Sequence, residues 1–510
     1  MKARMFIMLI FLISAFDSCT DNQSKSSGDI EDIWVCSDET SFKSLAGVEK
    51  PGIKFYRDQN GKWEARGFFL WNDDYHRSWK IKDVQYNENN GTLDLIDVDG
   101  NTFKGVLNKK SRRIEGTINV KYKDSISSDS VVLVPAGNNL EIQLFHPRIP
   151  DNCEDSECLY HVPQVHNDGL ETASIYDENV DSKSLVNLIS KIVDQDYGRV
   201  ESLLIVKDDK LIVEEYFYGY NRKNLHKVYS CTKGITSLLL GMALDRHPKV
   251  SVDQPIFSFF PKYNSLKTKG KGNITLKDVL TMSAGLEWHE YPKEMYESED
   301  RIHYVLSRPL ETTPGKHFNY NSGLSFVIGG VIASLEGEDV QGFADKNFFQ
   351  AMGIENYSWR TNIYNDLEYW NGLELAPRDM AKIGLLVLNE GKWKGKQIVS
   401  KNWIEASTRP HIMADRYFEY GYQWWLWTKN SKRWWDNKPE IKPALEHDMV
   451  VALGWGSQFI MVVRDLKLVV VITGSNYRNE EKEYSAFPMV IDEIIPALTG
   501  QGHMITPALY

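Results

Sequence analysis

The sequence is poor in the residues and motifs that mark several large classes of protein. Its five cysteines in 510 residues are too few for a disulfide scaffold. Asp and Glu (70) outnumber Lys and Arg (59), and the net charge of −11 argues against a nucleic-acid partner. Glycine-rich phosphate loops, dinucleotide fingerprints and His-x-x-x-His zinc helices do not occur, so no cofactor is predicted. The hydrophobic (42%) and charged (25%) fractions exclude a disordered, collagen-like or coiled-coil chain.

Long apolar runs are also scarce, and the one that stands out lies near the start. Residues 5–16 are largely apolar and follow two basic residues, a pattern typical of a secretory signal but shorter than the roughly 20 residues that span a bilayer. Cys19 stands where an acylated lipoprotein would begin. We predict a signal peptide over 1–19, a polar tether over 20–29, and an exported, periplasmic or cell-envelope protein that meets the membrane through a lipid on Cys19. Plain secretion and an uncleaved anchor are the alternatives.

Residues 30–145 have the pattern of a separate β-rich accessory domain. Asn90-Gly91 and Asp99-Gly100 are dipeptides favoured in tight hairpin turns, which indicates an antiparallel meander closed into a small all-β barrel or sandwich. Its abundant aromatic side chains are interpreted as core, with a ligand pocket as the alternative. The predicted strands are 63–71, 79–86, 92–98, 102–107, 114–122 and 131–135.

A polar, proline-containing stretch over residues 146–181 is predicted to be a linker. It holds Cys153, Cys158, His161 and His166. Their spacing is not that of a known zinc finger. In an exported protein, a local disulfide between Cys153 and Cys158 is favoured over zinc binding.

Residues 182–500 have the mixed helix and strand pattern of a larger domain. Hairpins near both of its ends could share one sheet. We therefore predict an α/β (α+β) fold in which an antiparallel sheet is flanked by helices and a helical subdomain lies between the two hairpins. The predicted elements are a helix (185–193), a first hairpin (202–206 and 211–218), a second hairpin (459–463 and 468–473) and a closing helix (489–498).

The motif Ser230-x-x-Lys233 opens a largely apolar segment of helical length that Pro248 ends. Residues three apart on a helix are neighbours, so the Lys233 amine can reach the Ser230 hydroxyl. A serine needs an adjacent base, and a lysine walled in by apolar side chains can serve because burial disfavours its charged form. The spacing alone is common, and most instances are solvated helix faces.

Further segments in chain order strengthen this interpretation. They are LTMSAGLEW (280–288), PGKHFNYNSG (314–323), YGYQWW (420–425) and GWGSQ (454–458). With YSCTKG (229–234) they resemble the motifs of the serine β-lactamase-related hydrolase superfamily, the penicillin-recognising enzymes. Within it they are similar to the branch of class C β-lactamases, some esterases and the 6-aminohexanoate-dimer hydrolases. The resemblance covers about two-thirds of the chain.

This resemblance implies a role for each matched residue. Ser230 is the nucleophile and Lys233 its proton acceptor. Tyr320 is the second catalytic group, because a phenol beside an ammonium is favoured in its ionised form and can relay a proton to the leaving group. Whether Lys233 or Tyr320 is the formal base stays open.

Acyl transfer also needs donors for the developing oxyanion, which in this superfamily are two backbone N–H groups. One belongs to Ser230 and the other to an edge strand that here includes residues 453–458. With Gly454 matched to the motif glycine, the second donor is the Trp455 N–H, in a register uncertain by two residues. Gly454 and Gly456 would let a substrate approach the backbone, with a bulge as the alternative reason for Gly456.

The sequence departs from the family pattern at two positions that contact substrate. Ala452 stands where a cation normally holds the carboxylate of a penicillin or a D-alanyl peptide, and Ser322 replaces an asparagine that would bind a substrate amide. We therefore predict a serine hydrolase that acylates Ser230 and cleaves a small-molecule ester or small amide. The alternatives are a D-alanyl peptidase or β-lactamase acting on cell-wall-type substrates, and a catalytically silent, penicillin-binding-like ligand-binding protein.

Other residues near the motifs are given structural roles. Cys231 is interpreted as packing. A run of tryptophans is interpreted as strand core, with the wall of an apolar substrate pocket as the alternative: Trp424, Trp425, Trp427, Trp434 and Trp435. The remaining polar groups are interpreted as rim or surface residues: His289, Glu290, His303, His317 and His447.

Overall fold

The structure is a computed structural model in which the chain divides into two compact units. One comprises residues 1–46, 52–67 and 80–136, the other the remainder, and each is described by itself. Cys19, Cys153 and Cys158 lie outside the described residues, as do the predicted signal peptide and tether. The described residues are 33–36, 52–57, 61–70, 76–97, 100–122, 125–135, 160–218, 220–268, 270–290, 292–337, 339–428, 431, 447–477 and 479–500.

The first unit is built on eight antiparallel strands. Each pairs with the next in chain order and the first also pairs with the last, which closes a barrel. Inward Leu93 and Leu95 alternate with exposed Asp94, as expected for a strand with one buried face. The predicted all-β domain is confirmed, and its first two strands were not predicted. The strands are β1 (Ile33–Cys36), β2 (Gly52–Arg57), β3 (Trp63–Leu70), β4 (His76–Tyr86), β5 (Thr92–Asp97), β6 (Thr102–Asn108), β7 (Arg113–Tyr122) and β8 (Ser125–Pro135).

The second unit contains a nine-stranded sheet and two small ones. Its strands are β9 (Glu171–Thr172), β10 (Val200–Lys207), β11 (Lys210–Tyr216), β12 (His226–Lys227), β13 (Tyr357–Trp359), β14 (Leu373–Leu375), β15 (Lys392–Trp393), β16 (Lys396–Gln397), β17 (Ile412–Met413), β18 (Glu419–Tyr420), β19 (Trp425–Trp427), β20 (Met449–Gly454), β21 (Gln458–Val463) and β22 (Leu468–Gly474). The large sheet has the order β17-β18-β19-β20-β21-β22-β10-β11-β9. Because β10 pairs antiparallel with both β11 and β22, the predicted sharing of one sheet by the two hairpins is confirmed.

Helices flank this sheet and fill the middle of the unit. The helix that follows β12 is buried on all sides over residues 231–244, as its apolar sequence requires, and it packs against β20. No helix in the described part of the chain is long and apolar enough to cross a membrane. The helices are α1 (Ser182–Val193), α2 (Cys231–Arg246), α3 (Leu276–Leu280), α4 (Lys293–Tyr296), α5 (Arg301–Ser307), α6 (Gly323–Glu336), α7 (Val340–Ala344), α8 (Gln350–Met352), α9 (Pro377–Leu388), α10 (Lys401–Ser407), α11 (Glu480–Glu483), α12 (Ala486–Pro488) and α13 (Ile495–Thr499).

The segment 453–458 differs from the predicted single edge strand. It contains the end of β20, a turn over residues 455–457 and the first residue of β21. Gly456 and Ser457 both have positive φ, 78° and 75°, which reverses the chain. β20 lies inside the sheet, yet its pairing with β19 ends at Val451, three residues before the strand does.

Candidate active site

Ser230 lies at the N-terminal end of α2, where it is the N-cap residue. The preceding residue, Tyr229, has a φ of 45°, which is uncommon for a residue with a Cβ and marks a sharp turn into the helix. Ser230 is half-buried, whereas Cys231 and Lys233 are buried. The turn therefore leaves the serine at the accessible end of an otherwise enclosed helix.

Lys233 is enclosed by neutral partners. It is 1% exposed, and its Nζ lies 2.9 Å from the Oγ of Ser230 and donates to the carbonyl oxygen of Trp370 at 3.2 Å. The same Nζ is 4.9 Å from the ring centroid of Tyr320. Burial lowers the pKa of Lys233 to about 7, and the carboxylate of Glu290 opposes part of that shift. This lysine is therefore prepared to exchange a proton near neutral pH.

Tyr320 reaches the Ser230–Lys233 pair from the turn that precedes α6. The backbone N–H of Asn319 donates to the carbonyl oxygen of Met282 at 2.8 Å, which ties this turn to the segment after α3. The ring of Tyr320 stacks on Trp425, with the centroids 5.6 Å apart. The structure thus brings the three predicted catalytic side chains together, and their catalytic roles remain predictions.

The end of β20 lies against the segment that leads to Ser230. A Cβ on Gly454 would be 2.2 Å from the carbonyl oxygen of Val228, so only glycine permits this approach. Trp455, the predicted second oxyanion donor, follows Gly454 at the start of the turn. The two predicted donors, the N–H groups of Ser230 and Trp455, therefore belong to segments in direct contact.

An aromatic cluster packs beside these two segments. Tyr229, Trp455 and Tyr477 form three edge-to-face contacts, with centroid distances of 5.5, 5.8 and 4.9 Å. A Cβ on Gly456 would be 2.2 Å from the ring of Tyr477. The turn and this packing account for Gly456, and a contact with substrate remains a prediction for it.

Ser322 and Glu290 contact each other next to the turn that carries Tyr320. Ser322 is the N-cap of α6 and is 2% exposed, with its Oγ shielded from solvent. Its backbone N–H donates to Oε1 of Glu290 at 2.7 Å. The predicted substrate contact of Ser322 remains a prediction and requires that its oxygen become accessible.

Glu290, predicted to be a rim or surface residue, is half-buried and has contacts that the sequence did not predict. One carboxylate oxygen is held by two N–H donors and the other, Oε2, is out of contact with solvent. The sequence signal that could have found it is an acid two residues after Trp288 in a matched motif. Trp370 was also missed, because it contacts Lys233 through its main-chain carbonyl, which any residue carries.

The remaining residues that the sequence analysis considered are packed in the core or lie at the surface. Cys231 is buried and its Sγ donates to the carbonyl oxygen of Gln458 at 3.4 Å, which confirms packing. Trp424 and Trp427 are fully buried, whereas Trp425 borders the site; Trp434 and Trp435 lie outside the described residues. The histidines are exposed or paired with a surface acid: His289, His303, His317 and His447. In the described ranges, no group of three or more metal-binding side chains was found.

Comparison with known proteins identifies the family. The beta-lactamase family model matches residues 188–487, more than half of the chain, and the chain belongs to this family. It therefore falls within the serine beta-lactamase superfamily.

The relatives are distant in sequence. The 6-aminohexanoate-dimer hydrolase of Paenarthrobacter ureafaciens is 20% identical over 253 residues, 44% of this chain, and the chain spans 64% of the length of that curated relative. A beta-lactamase-type protein from Bacteroides dorei DSM 17855 is 15% identical, with a TM-score of 0.52 over 63% of this chain and 99% of that one. A beta-lactamase/D-alanine carboxypeptidase from Pseudomonas syringae is 16% identical, with a TM-score of 0.48 over 60% and 98%. The likeness to the Bacteroides structure shows the fold.

Proposed function

We propose that this hydrolase forms an acyl-enzyme on Ser230 and cleaves an ester or a small amide. The observation that carries the proposal is the 2.9 Å distance between the Nζ of buried Lys233 and the Oγ of Ser230. With its pKa lowered to about 7, Lys233 is partly neutral at physiological pH and can accept a proton. A serine with such a neighbour has the base that it needs to act as a nucleophile.

The reaction that this arrangement supports has two halves. The Ser230 Oγ–H proton passes to the neutral Nζ of Lys233 while Oγ bonds to the substrate carbonyl carbon, and the N–H groups of Ser230 and Trp455 receive the oxyanion. The tetrahedral intermediate then expels the leaving group, which takes the proton held by Lys233 by way of the Tyr320 phenol, so that Lys233 is neutral again. Water gives a proton to Lys233 as it attacks the ester of Ser230, and that proton returns to Oγ of Ser230 when the acid leaves.

The preference for an ester or small amide is supported by the side chains around the site. Ala452 is 3% exposed within β20 and supplies no cation to a substrate carboxylate. The half-buried rings of Tyr229, Trp425 and Trp455 offer apolar surface instead. A compact substrate without a carboxylate next to the scissile bond suits these surroundings better than a penicillin or a D-alanyl peptide does.

A fluorophosphonate probe tests the nucleophile, because it reacts covalently with an activated serine whatever the natural substrate is. We expect one label per chain, on the peptide that contains Ser230, and no label in Ser230→Ala when circular dichroism shows that the variant is folded. A label that persists in Ser230→Ala contradicts the assignment.

A substrate panel tests the bond that is cleaved. We expect hydrolysis of short-chain p-nitrophenyl esters or anilides that depends on Ser230. The peptidase or β-lactamase alternative would be favoured if the protein hydrolysed nitrocefin, or released D-alanine from a D-alanyl-D-alanine peptide, but did not hydrolyse the esters. The non-catalytic ligand-binding alternative would be favoured if the protein hydrolysed none of the substrates but still bound ligand.

A further inference from the structure

Glu290 joins two segments of the site through one of its carboxylate oxygens. Oε1 accepts hydrogen bonds from the Nε1–H of Trp288 at 2.8 Å and from the backbone N–H of Ser322 at 2.7 Å. Ser322 follows Tyr320 by two residues and is the N-cap of α6. The carboxylate therefore holds the Tyr320 turn against the segment that contains Trp288.

The second carboxylate oxygen is in an unusual position. Oε2 is shielded from solvent and has no hydrogen-bond partner among the described residues. A buried anionic oxygen without a donor is unfavourable, so a compensating charge is expected nearby.

Lys233 lies near the turn that Glu290 holds, with its Nζ 4.9 Å from the ring centroid of Tyr320. Glu290 is the carboxylate that acts on Lys233 in the described part of the chain, and it favours the ammonium form against the effect of burial. The other titratable groups around the two are the Cys231 thiol and the Tyr320 phenol next to Lys233, and the buried Tyr420 phenol, which feels both Tyr320 and Glu290.

We propose that Glu290 is a positioning residue that serves as the remote counter-ion of Lys233 and anchors the Tyr320 turn. This inference rests on the proposed function. When the Ser230 proton moves to Lys233, an ammonium forms in an enclosed site, and the fixed carboxylate stabilises that charge without exchanging a proton itself. Glu290 thus favours the proton transfer that accompanies acylation.

The variant Glu290→Gln separates the two parts of this role. Its amide oxygen can still accept from Trp288 and Ser322, but the negative charge is gone. We expect the pH profile of fluorophosphonate labelling at Ser230 to keep its shape, with the acidic limb displaced to lower pH by about half a unit or more. We expect the plateau rate to fall by up to about threefold for each half unit of displacement, because a less basic lysine is a poorer proton acceptor.

Glu287→Gln is the matched control. It removes one carboxylate from the same segment, where Glu287 pairs with Arg308 at 2.8 Å and is about one-third exposed. We expect its acidic limb to coincide with that of the wild type. A Glu290→Gln limb that coincides with the wild type, or a Glu287→Gln limb displaced as far, overturns the proposal.

A second variant covers the case in which Glu290→Gln does not fold. Glu290→Asp keeps the charge on a shorter side chain, so labelling should slow while the acidic limb stays in place; a limb displaced downward overturns the proposal. Wild-type protein that is never labelled at Ser230 overturns the proposed function together with this inference. Labelled wild type with superimposable variant profiles overturns this inference alone.

Discussion

Lys233 and Lys382 are two of the three buried lysines described in the second unit, with Lys271 at 5% exposed as the third, and the surroundings of these two differ in one respect. Lys382, on α9, is 2% exposed; its Nζ pairs with Oδ1 of Asp379 at 2.7 Å and donates to the carbonyl oxygen of Gly353 at 2.9 Å. Lys233, at the start of α2, is 1% exposed and contacts a hydroxyl and a carbonyl. Burial is thus the same in the two regions, and the direct carboxylate contact is what separates them.

This difference indicates which of the two buried lysines can act as a base. A carboxylate in contact satisfies the charge of Lys382 in place, so that side chain holds α9 to the chain that precedes it. Lys233 has its carboxylate only at a distance, and desolvation brings its pKa to about 7. A buried lysine beside a serine but without a contacting acid is the one prepared to accept a proton.

The largest effect on activity is expected when the Lys233 amine is removed. In Lys233→Met, labelling of Ser230 should slow by about 10²- to 10⁴-fold, the usual contribution of a general base. Labelling rates measure this loss, and thermal unfolding shows that the variant is folded. An active Lys233→Met would contradict the account.

Removal of the Lys382 amine should lower stability and leave the activity of Ser230 unchanged. Lys382→Met leaves Asp379 buried without its partner, and we expect a loss of about 3–5 kcal/mol in the free energy of unfolding. Labelling of Ser230 at a temperature where the variant is folded should match the wild type. Urea denaturation checks the first expectation. Stability equal to the wild type would show that the ion pair contributes little.

A substitution at Gly454 tests the oxyanion donors separately from the base. In Gly454→Ala, a Cβ placed 2.2 Å from the carbonyl oxygen of Val228 would push β20 away from the segment before Ser230. We expect ester hydrolysis to fall by about 10²- to 10³-fold, the usual cost of losing one oxyanion donor, with the acidic limb of the pH profile unmoved. Gly272→Ala is the control, because nothing lies within 4 Å of its Cβ position. An unchanged rate in Gly454→Ala would count against the Trp455 donor.

The smallest effect is expected from the phenol that neighbours Lys233. Tyr320→Phe keeps the ring that stacks on Trp425 and removes the hydroxyl. A p-nitrophenolate leaves without being protonated, so the ester rate should fall by less than about tenfold, whereas hydrolysis of an anilide should fall by about 10²-fold. Equal losses on the two substrates would show that Tyr320 does not serve the leaving group.

The local parts of the site could be predicted from the sequence. Ser230 and Lys233 lie three residues apart on a helix whose apolar residues bury it, so their contact depends on helical geometry alone. The sharing of one sheet by two hairpins likewise followed from their apolar runs and from the turn residues between them. The resemblance to known motifs added Tyr320, which a spacing rule would not have connected to α2.

The other parts depend on tertiary contacts that no local pattern encodes. Trp370 offers a backbone carbonyl, and Glu290 is an acid in a polar segment, so neither residue type revealed its position. The segment 453–458 was assigned to one edge strand because of its resemblance to a family motif, but the positive φ of Gly456 and Ser457 makes residues 455–457 a hairpin turn. Strands β1 and β2 are short and lack the hairpin dipeptides that marked the later strands of the barrel.

The central claim, that Lys233 activates Ser230 in its neutral form, is tested most directly by the pH dependence of fluorophosphonate labelling in the wild-type protein. Because the neutral amine is the acceptor, the labelling rate should be low in acid, rise with a midpoint of about 7 and level off above it. A midpoint near the ordinary value of a lysine, about 10.4, or a rate that does not change between pH 5 and 9, would contradict the claim.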